Sequence, residues 1–465
     1  MLHVTMSSIS SEKTPEKSTA FEAIGIERVP EDDRQHTQLR DTMWIWLSSN
    51  AVVATVAIGM LNIYYGLGFW LSLAVILVFN ALAVIPVSFM TTLGPKTGLA
   101  QIPLAQFSFG PYVIKLPALL NCLACIGWSA VNASLGADLI VSVTGNAIPW
   151  WVALLCIIVI VALISIFGYF IVHSFERFAW IPVIAIYLYI AIAAAPHFNI
   201  NQPMTAQGGM MIFSGILTFG GAIFGNAIGW SSYAADYTRH MPASASSRRV
   251  FTYSFLGIMI PCVLLEVIGL LLTTGVKGDT VGDLVINALG QNALTTVVLL
   301  LLALSVIANN VLSDYSFGLS MQVLGLKSVK RWILTAVGAL AYTGLAFVLH
   351  GNFSLNLQGF LLLIAYWLGV WTPIILIEHA MRKGAYPIED CDNPSKLPVG
   401  IAALVTFIIS IGIAVLGINQ ASVIGYEGPL SHLLADADIG FPLAVIVASI
   451  LYYPLRKMEK AKFGR

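Results

Sequence analysis

The chain is 465 residues long, with 23 acidic and 23 basic side chains, so its formal charge of zero carries no information apart from where those charges fall. Only 10% of residues are charged, 58% are hydrophobic, and the mean hydropathy is +0.85. A soluble chain of this size carries charge on roughly a quarter of its residues, so a soluble globular protein is excluded and lipid must solvate most of the surface.

Residues 1–42 are polar and charged and are expected to form a cytoplasmic tail with little structure of its own, without a cleavable signal peptide. Apolar runs then recur, each long enough to cross a hydrocarbon core about 30 Å thick as a helix. They fall at 43–66, 70–93, 117–145, 149–171, 178–196, 210–235, 250–275, 292–321, 331–350, 354–379, 398–418 and 439–455, followed by a short tail at 456–465. Only a helix satisfies its own backbone in lipid without closing into a barrel, so the reading is an all-α membrane protein with about twelve spans. With the N-terminus inside, Lys277 is the sole one of the 23 Lys and Arg residues to fall in an outside loop. That asymmetry follows the positive-inside rule and puts both termini in the cytoplasm of a cell-membrane protein. Trp44, Trp70, Trp150, Trp151 and Trp332 lie near span ends, where an aromatic belt would place them.

Glycines mark where spans one and six are expected to break. Span one carries Ala57, Ile58 and Gly59 near its middle, and Gly215, Gly220, Gly221, Gly225 and Gly229 crowd span six beside Asn226. Glycine costs about 1 kcal/mol in a helix interior. It is accepted either where small residues let helices pack closely or where a helix unwinds around a substrate. Breaks five spans apart fit a five-plus-five inverted repeat, with halves at about 43–196 and 210–379.

Polar groups at membrane depth are costly and tend to be functional. Span three holds Asn121, Trp128, Asn132 and Asp138. Trp128 and Asn132 are one turn apart, on one face. A flat ring beside an amide suits a heteroaromatic ligand, because the ring stacks and the amide both donates and accepts; packing is the alternative. Span eight carries Ser305, the adjacent Asn309 and Asn310, Ser313 and Asp314. Glu266 lies inside span seven, and Glu176, beside Arg177, lies between spans four and five. Asp236 and Arg239 read as a structural pair closing span six. Cys122 and Cys125 share a helix face without visible partners, which favours packing over redox or metal chemistry. The histidines show no metal-ligand spacing, and no phosphate loop or Ser-His-Asp set is present. A membrane enzyme, an ATP-driven pump, a bound cofactor and a nucleic-acid partner are therefore not expected.

Several segments together resemble the nucleobase–cation symporters in their purine–cytosine permease branch. They are GIERVP at 25–30 with the acidic run at 31–33, WLSSN at 46–50, GPKTG at 94–98, SFG at 108–110 and GWSSYAADYTR at 229–239. The resemblance implies a LeuT-type five-plus-five fold with two extra C-terminal helices, and symport of a nucleobase with a cation. It implies that Trp128 stacks the base, and that Asn132 and Asn310 bind its edge. It adds Trp230 as a span-six contact and Glu176 as a functional carboxylate. Asn50 and Asn309 join this set as further expected substrate contacts; Ser305 and Glu266 join Glu176 as candidates for coupling. Sodium-coupled members place two hydroxyl residues where this chain has Leu304 and Ser305, so one ligand oxygen is missing and a proton becomes the expected coupling ion. Ala227 stands where some members have a second stacking aromatic, so Trp230 is expected to complete the sandwich. The leading expectation is a proton-coupled importer of purines and/or cytosine. The alternatives are a symporter of another small ring (vitamin B6, allantoin, hydantoin or uracil), a sodium-coupled one, or an amino-acid permease.

Overall fold

The computed structural model describes residues 25–166 and 169–465, the side chains of 166–179 and 331 excepted. It is almost wholly helical. The membrane helices are α1 (Asp41–Asn50, resuming as Val53–Met60), α2 (Phe69–Thr91), α3 (Lys115–Val143), α4 (Trp150–Ile166), α5 (Tyr169–Ala194) and α6 (Gly209–Ile228). They continue as α7 (Ser247–Gly275), α8 (Ala293–Val323), α9 (Arg331–Leu349), α10 (Phe353–Met381), α11 (Ile401–Val415) and α12 (Gly440–Phe463). Eight segments are long and apolar enough to span unaided, one of them a 50-residue run in which α9 passes through a 3-10 turn into α10. The bent pair of α1 and the shorter apolar α4 and α11 bring the bundle to about twelve.

Burial places these helices. The most apolar stretch of α3 is 78% buried, against 22% for α5 and 28% for α12, so α3 stands at the centre and the other two at the rim. It packs along α8, while α7 packs on α2 and on both halves of α1. Outside this core, α12 lies against α10 and α11. The exposed rings of Trp70, Trp151 and Trp332 are consistent with an interfacial belt.

Span one does break, but not at Gly59. The helix ends at Asn50, Ala51 (φ −80°, ψ 58°) and Val52 leave helical geometry, and the two halves meet at 56°. Gly59 serves packing instead: a side chain there would run into the backbone of Glu266 on α7, and one at Gly269 into the Val56 carbonyl of α1. In α6 the helix continues through Gly215, Gly220, Gly221 and Gly225. Gly220 lies against the Phe79 ring of α2 and Gly225 against the Leu361 carbonyl of α10. The departure from α geometry comes later, as 3-10 turns at Gly229–Ser232 and Ala234–Tyr237 around an irregular Tyr233. Thus the glycines within the helices buy close approach, and the breaks fall just after Asn50, at Ala51–Val52, and at Gly229–Tyr233.

Residues 25–40 and the C-terminal segment are more ordered than their polarity suggests. Val29 is fully buried, its N–H bonded to the Gly98 carbonyl. Arg34 is buried among the carbonyls of Val29, Pro95 and Thr97. Helix α12 runs past 455, and buried Arg456 on it pairs with Glu378 of α10 at 3.0 Å and with Glu459 at 3.0 Å.

Candidate functional site

The contact between α3 and α8 is polar at its middle. Asn132 donates through Nδ2 to the Trp128 carbonyl at 3.0 Å and to Asn309 Oδ1 at 2.9 Å. Asn309 in turn donates to the Ser49 carbonyl at 2.8 Å, two residues before the break in α1. Asn310 donates to the Ser129 carbonyl at 3.1 Å. Asn132 and Asn310 are fully buried, yet the Oδ1 of each has no partner among the described residues. A buried orphan acceptor costs about 1–3 kcal/mol, and a pair of them at one interface marks a place where a ligand's donors would be satisfied.

Trp128 lies one turn before Asn132 on α3 and offers it a carbonyl. Phe360 of α10 meets the Trp128 ring edge-on, with centroids 5.2 Å apart. On another side is Gly229, where an added Cβ would lie 3.2 Å from the indole Nε1. The next residue, Trp230, donates Nε1 to Asn50 Oδ1 at 2.9 Å and is flanked by Trp46 and Tyr233, with centroids 5.1 and 5.3 Å away. Asn50 and Trp230 therefore tie the break of α1 to that of α6. Trp230 is already engaged on its N–H and by both neighbouring rings in this state.

Access to the cluster is unequal from the two faces. A cavity of about 360 Å³ opens on the face opposite the termini, lined by Ala57, Met60, Leu135, Asp138, Asp279 and Phe353, among others. Leu135 lies three residues beyond Asn132, a rise of about 4.5 Å along α3, so the cavity stops about one turn from the amides. On the termini face a hydrogen-bonded layer closes the bundle. Asp236 accepts from the Gln101 N–H at 2.8 Å and from Ser316 at 3.0 Å; Tyr237 donates to the Leu312 carbonyl at 2.8 Å. Arg239 donates to the Gly25 carbonyl at 2.7 Å and to Tyr315 at 2.8 Å. The stretch 236–239 thus does more than cap α6, because it joins α6 to the 25–40 segment, to the 101 turn and to α8.

The coupling candidates are dispersed. Ser305 donates to the Leu302 carbonyl at 2.6 Å and borders a cavity of about 160 Å³ whose walls are otherwise apolar apart from Ser48. Leu304 is 42% exposed and so turns partly to the outer surface. The side chain of Glu176 lies outside the described residues. Glu266 is fully buried, accepting from Asn80 of α2 at 2.5 Å and from Asn226 of α6 at 3.1 Å. Asn80 was not among the residues read from sequence as candidates, although an amide inside an apolar run was a usable signal. Cys122 and Cys125 are buried free thiols, and Cys122 Sγ points at the Phe317 carbonyl, 4.0 Å away.

The chain matches a family model described as a permease for cytosine/purines, uracil, thiamine, allantoin over residues 28–427. It is 35% identical to the purine-cytosine permease fcyB of Emericella nidulans, covering 96% of this chain and 90% of that protein. It is 32% identical to the purine-cytosine permease FCY2 of Saccharomyces cerevisiae, over 96% and 87% respectively. Its fold is similar to that of Mhp1, a nucleobase-cation-symport-1 family transporter solved in a closed conformation with bromovinylhydantoin bound. The TM-score is 0.73 at 18% identity, over 96% of this chain and 97% of that one.

Proposed function

We propose, from the premise that this chain belongs to the family of permeases for cytosine/purines, uracil, thiamine and allantoin, that it is a secondary active importer of purine bases and/or cytosine, driven by protons. It would reside in the cell membrane with both termini in the cytoplasm and work by alternating access. The observation that carries this reading is the pair of unpartnered amide oxygens on Asn132 and Asn310 beside Trp128. A nucleobase presents ring and exocyclic N–H donors along one edge and a π-face at right angles to them. The amide oxygens would take the donors, and Trp128 would take the face. Asn309 holds Asn132 in place and ties it to the break of α1, while Asn50 and Trp230 would transmit occupancy between the two breaks.

Proton rather than sodium coupling is supported by the surroundings of Ser305. Its hydroxyl hydrogen goes to its own helix, leaving one oxygen able to accept, and the adjoining cavity adds only the Ser48 hydroxyl beside apolar walls. A dehydrated sodium ion needs several oxygens, and burying one without them is strongly unfavourable.

Radiolabelled uptake into cells lacking their own permeases tests the substrate class. Cytosine, adenine, hypoxanthine and guanine should enter and compete with one another, while pyridoxine, allantoin, hydantoin and uracil compete weakly. Strong transport of one of the latter with no uptake of any purine or cytosine would overturn the reading.

A further inference from the structure

We infer that Glu266 is the proton-binding residue of this transporter, and that its carboxyl acts on both helix breaks through a relay of Asn226, Cys262 and Asn50; this rests on the proton-driven reading above. Glu266 sits where α2, α6 and α7 meet, with the backbone of α1 against its own backbone at Gly59. The groups facing the carboxyl are the Asn80 amide from α2, the Asn226 amide from α6 and, one turn earlier on α7, the Cys262 thiol. Cys262 is the titratable group that faces it among the described residues, and neither hydrogen bond to the carboxyl comes from a Lys or Arg. An ionisable side chain kept at membrane depth without a cationic partner is expensive, and such residues mark proton and ion pathways.

The wiring around it reaches the substrate machinery. Asn226 donates to Glu266 Oε1 at 3.1 Å and points the same amide at Cys262 Sγ, 3.9 Å away. Cys262 donates to Asn50 Oδ1 at 3.4 Å, and the same oxygen receives the Trp230 indole N–H at 2.9 Å. Asn50 is the last residue before the break in α1, and Asn226 lies three residues before the geometry of α6 changes at Gly229. One carboxyl is therefore linked to both breaks through two amides and a thiol.

A local switch follows from the donor count. The carboxylate can only accept, and Asn80 and Asn226 both present N–H groups to it. Once protonated, one oxygen becomes a donor and needs an acceptor. Asn80 supplies one, since its Oδ1 is fully buried and unpartnered among the described residues. Turning that amide over would satisfy the new O–H and break the Asn80 bond to the Ile76 carbonyl. Protonation would thus rearrange the α2–α7 contact and, through Asn226, the approach of α6 to α1.

The test uses the full chain in proteoliposomes with radiolabelled cytosine, comparing proton-driven accumulation, substrate counterflow and binding across pH. Wild-type protein should accumulate cytosine under an inward proton gradient, and its affinity should fall about tenfold per pH unit above the pKa of the coupling carboxyl. Glu266→Gln, which mimics the protonated acid, should bind with one affinity at every pH, retain counterflow and lose accumulation. Glu266→Asp should restore proton-driven accumulation with a displaced pH profile. Accumulation and pH-dependent binding by Glu266→Gln equal to wild type would overturn the assignment while leaving proton coupling in place. Loss of counterflow in Glu266→Gln, unrelieved in Glu266→Asp, would make Glu266 a packing residue and overturn it too. Wild-type accumulation driven by a sodium gradient and not by protons would remove the proton reading and this inference with it.

Discussion

At the scale of single residues, the proposed site is a ring and two acceptors. Loss of base–aromatic stacking costs roughly 1–3 kcal/mol, or about 5- to 150-fold in affinity. Trp128→Ala should therefore abolish measurable uptake with the protein still in the membrane, and Trp128→Phe should do less; uptake assays with surface quantification check both. Unchanged apparent affinity in the alanine variant would leave Trp128 as a packing partner of Phe360. Asn132 and Asn310 differ from each other in an instructive way. Asn132 uses its amide hydrogens on Trp128 and Asn309, whereas Asn310 makes one bond, to Ser129. Replacing Asn310 by Asp preserves the acceptor and removes a donor, so it should reorder the preference among bases at a modest cost in protein level. Asn132→Ala should in addition unseat Asn309 from the α1 break, and so lower both affinity and maximal rate. A competition panel of bases separates the two outcomes, and an equal loss for every base with misfolded protein would favour helix packing.

Among elements, the glycines and a buried ion-pair network decide how the helices meet. Gly225 has the Leu361 carbonyl where its side chain would be, whereas nothing approaches Gly412 in α11. Gly225→Ala should lower stability by roughly 1–3 kcal/mol, the usual penalty for overpacking. Gly412→Ala should be neutral or slightly stabilising, by about 0.5–1 kcal/mol. Thermal unfolding of the purified protein in detergent reads both, and equal behaviour would contradict the packing described here. Arg456 fixes α12 on α10 through Glu378, and both side chains are fully buried. Glu378 also pairs with Arg382 at 2.8 Å, so losing Arg456 leaves Glu378 one cation and deprives Glu459 of its partner, at a cost below the roughly 3–5 kcal/mol of a fully unpaired buried charge. Arg456→Ala should therefore unfold at a lower temperature, although it lies far from the proposed substrate cluster.

For the whole molecule the open questions are orientation and energy source. A cysteine introduced in the 196–208 or 419–437 loop should react with an impermeant reagent added outside intact cells, and one in 240–249 or 384–397 should not. External labelling at 384–397 would mean that the count of twelve spans is wrong. Uptake should rise as external pH falls from about 8 to 5 and collapse with a protonophore. The sign follows from the chemistry: a carboxyl that must bind a proton before substrate is loaded is filled at low pH and emptied at high pH. Replacing external sodium should change little. A strict sodium requirement at constant pH would sink proton coupling and return Ser305 to the list of cation ligands.

Hydropathy alone determined that the chain crosses a membrane about twelve times, because lipid leaves a backbone no partner except itself. The Trp128–Asn132 pair and the Asn309–Asn310 pair were also legible, since polar groups in an apolar run are costly enough to stand out and helical spacing puts Trp128 and Asn132 on one face. Sequence could not say what each glycine was for. Gly59 and Gly225 look like flexible points in one dimension, yet they are occupied in space by the backbones of Glu266 and Leu361. Nor could it locate the breaks, which lie at Ala51–Val52 and Gly229–Tyr233, where side-chain partners from other helices, such as Asn309 on the Ser49 carbonyl, replace part of the lost helical bonding. The order of residues 25–40 escaped it for the same reason, since Arg34 is held by carbonyls some sixty residues away. Local preference is written along the chain, but a hydrogen bond between distant segments exists only once the tertiary structure has brought them together, and that is what decided which polar residues are engaged with one another and which keep an unpartnered oxygen.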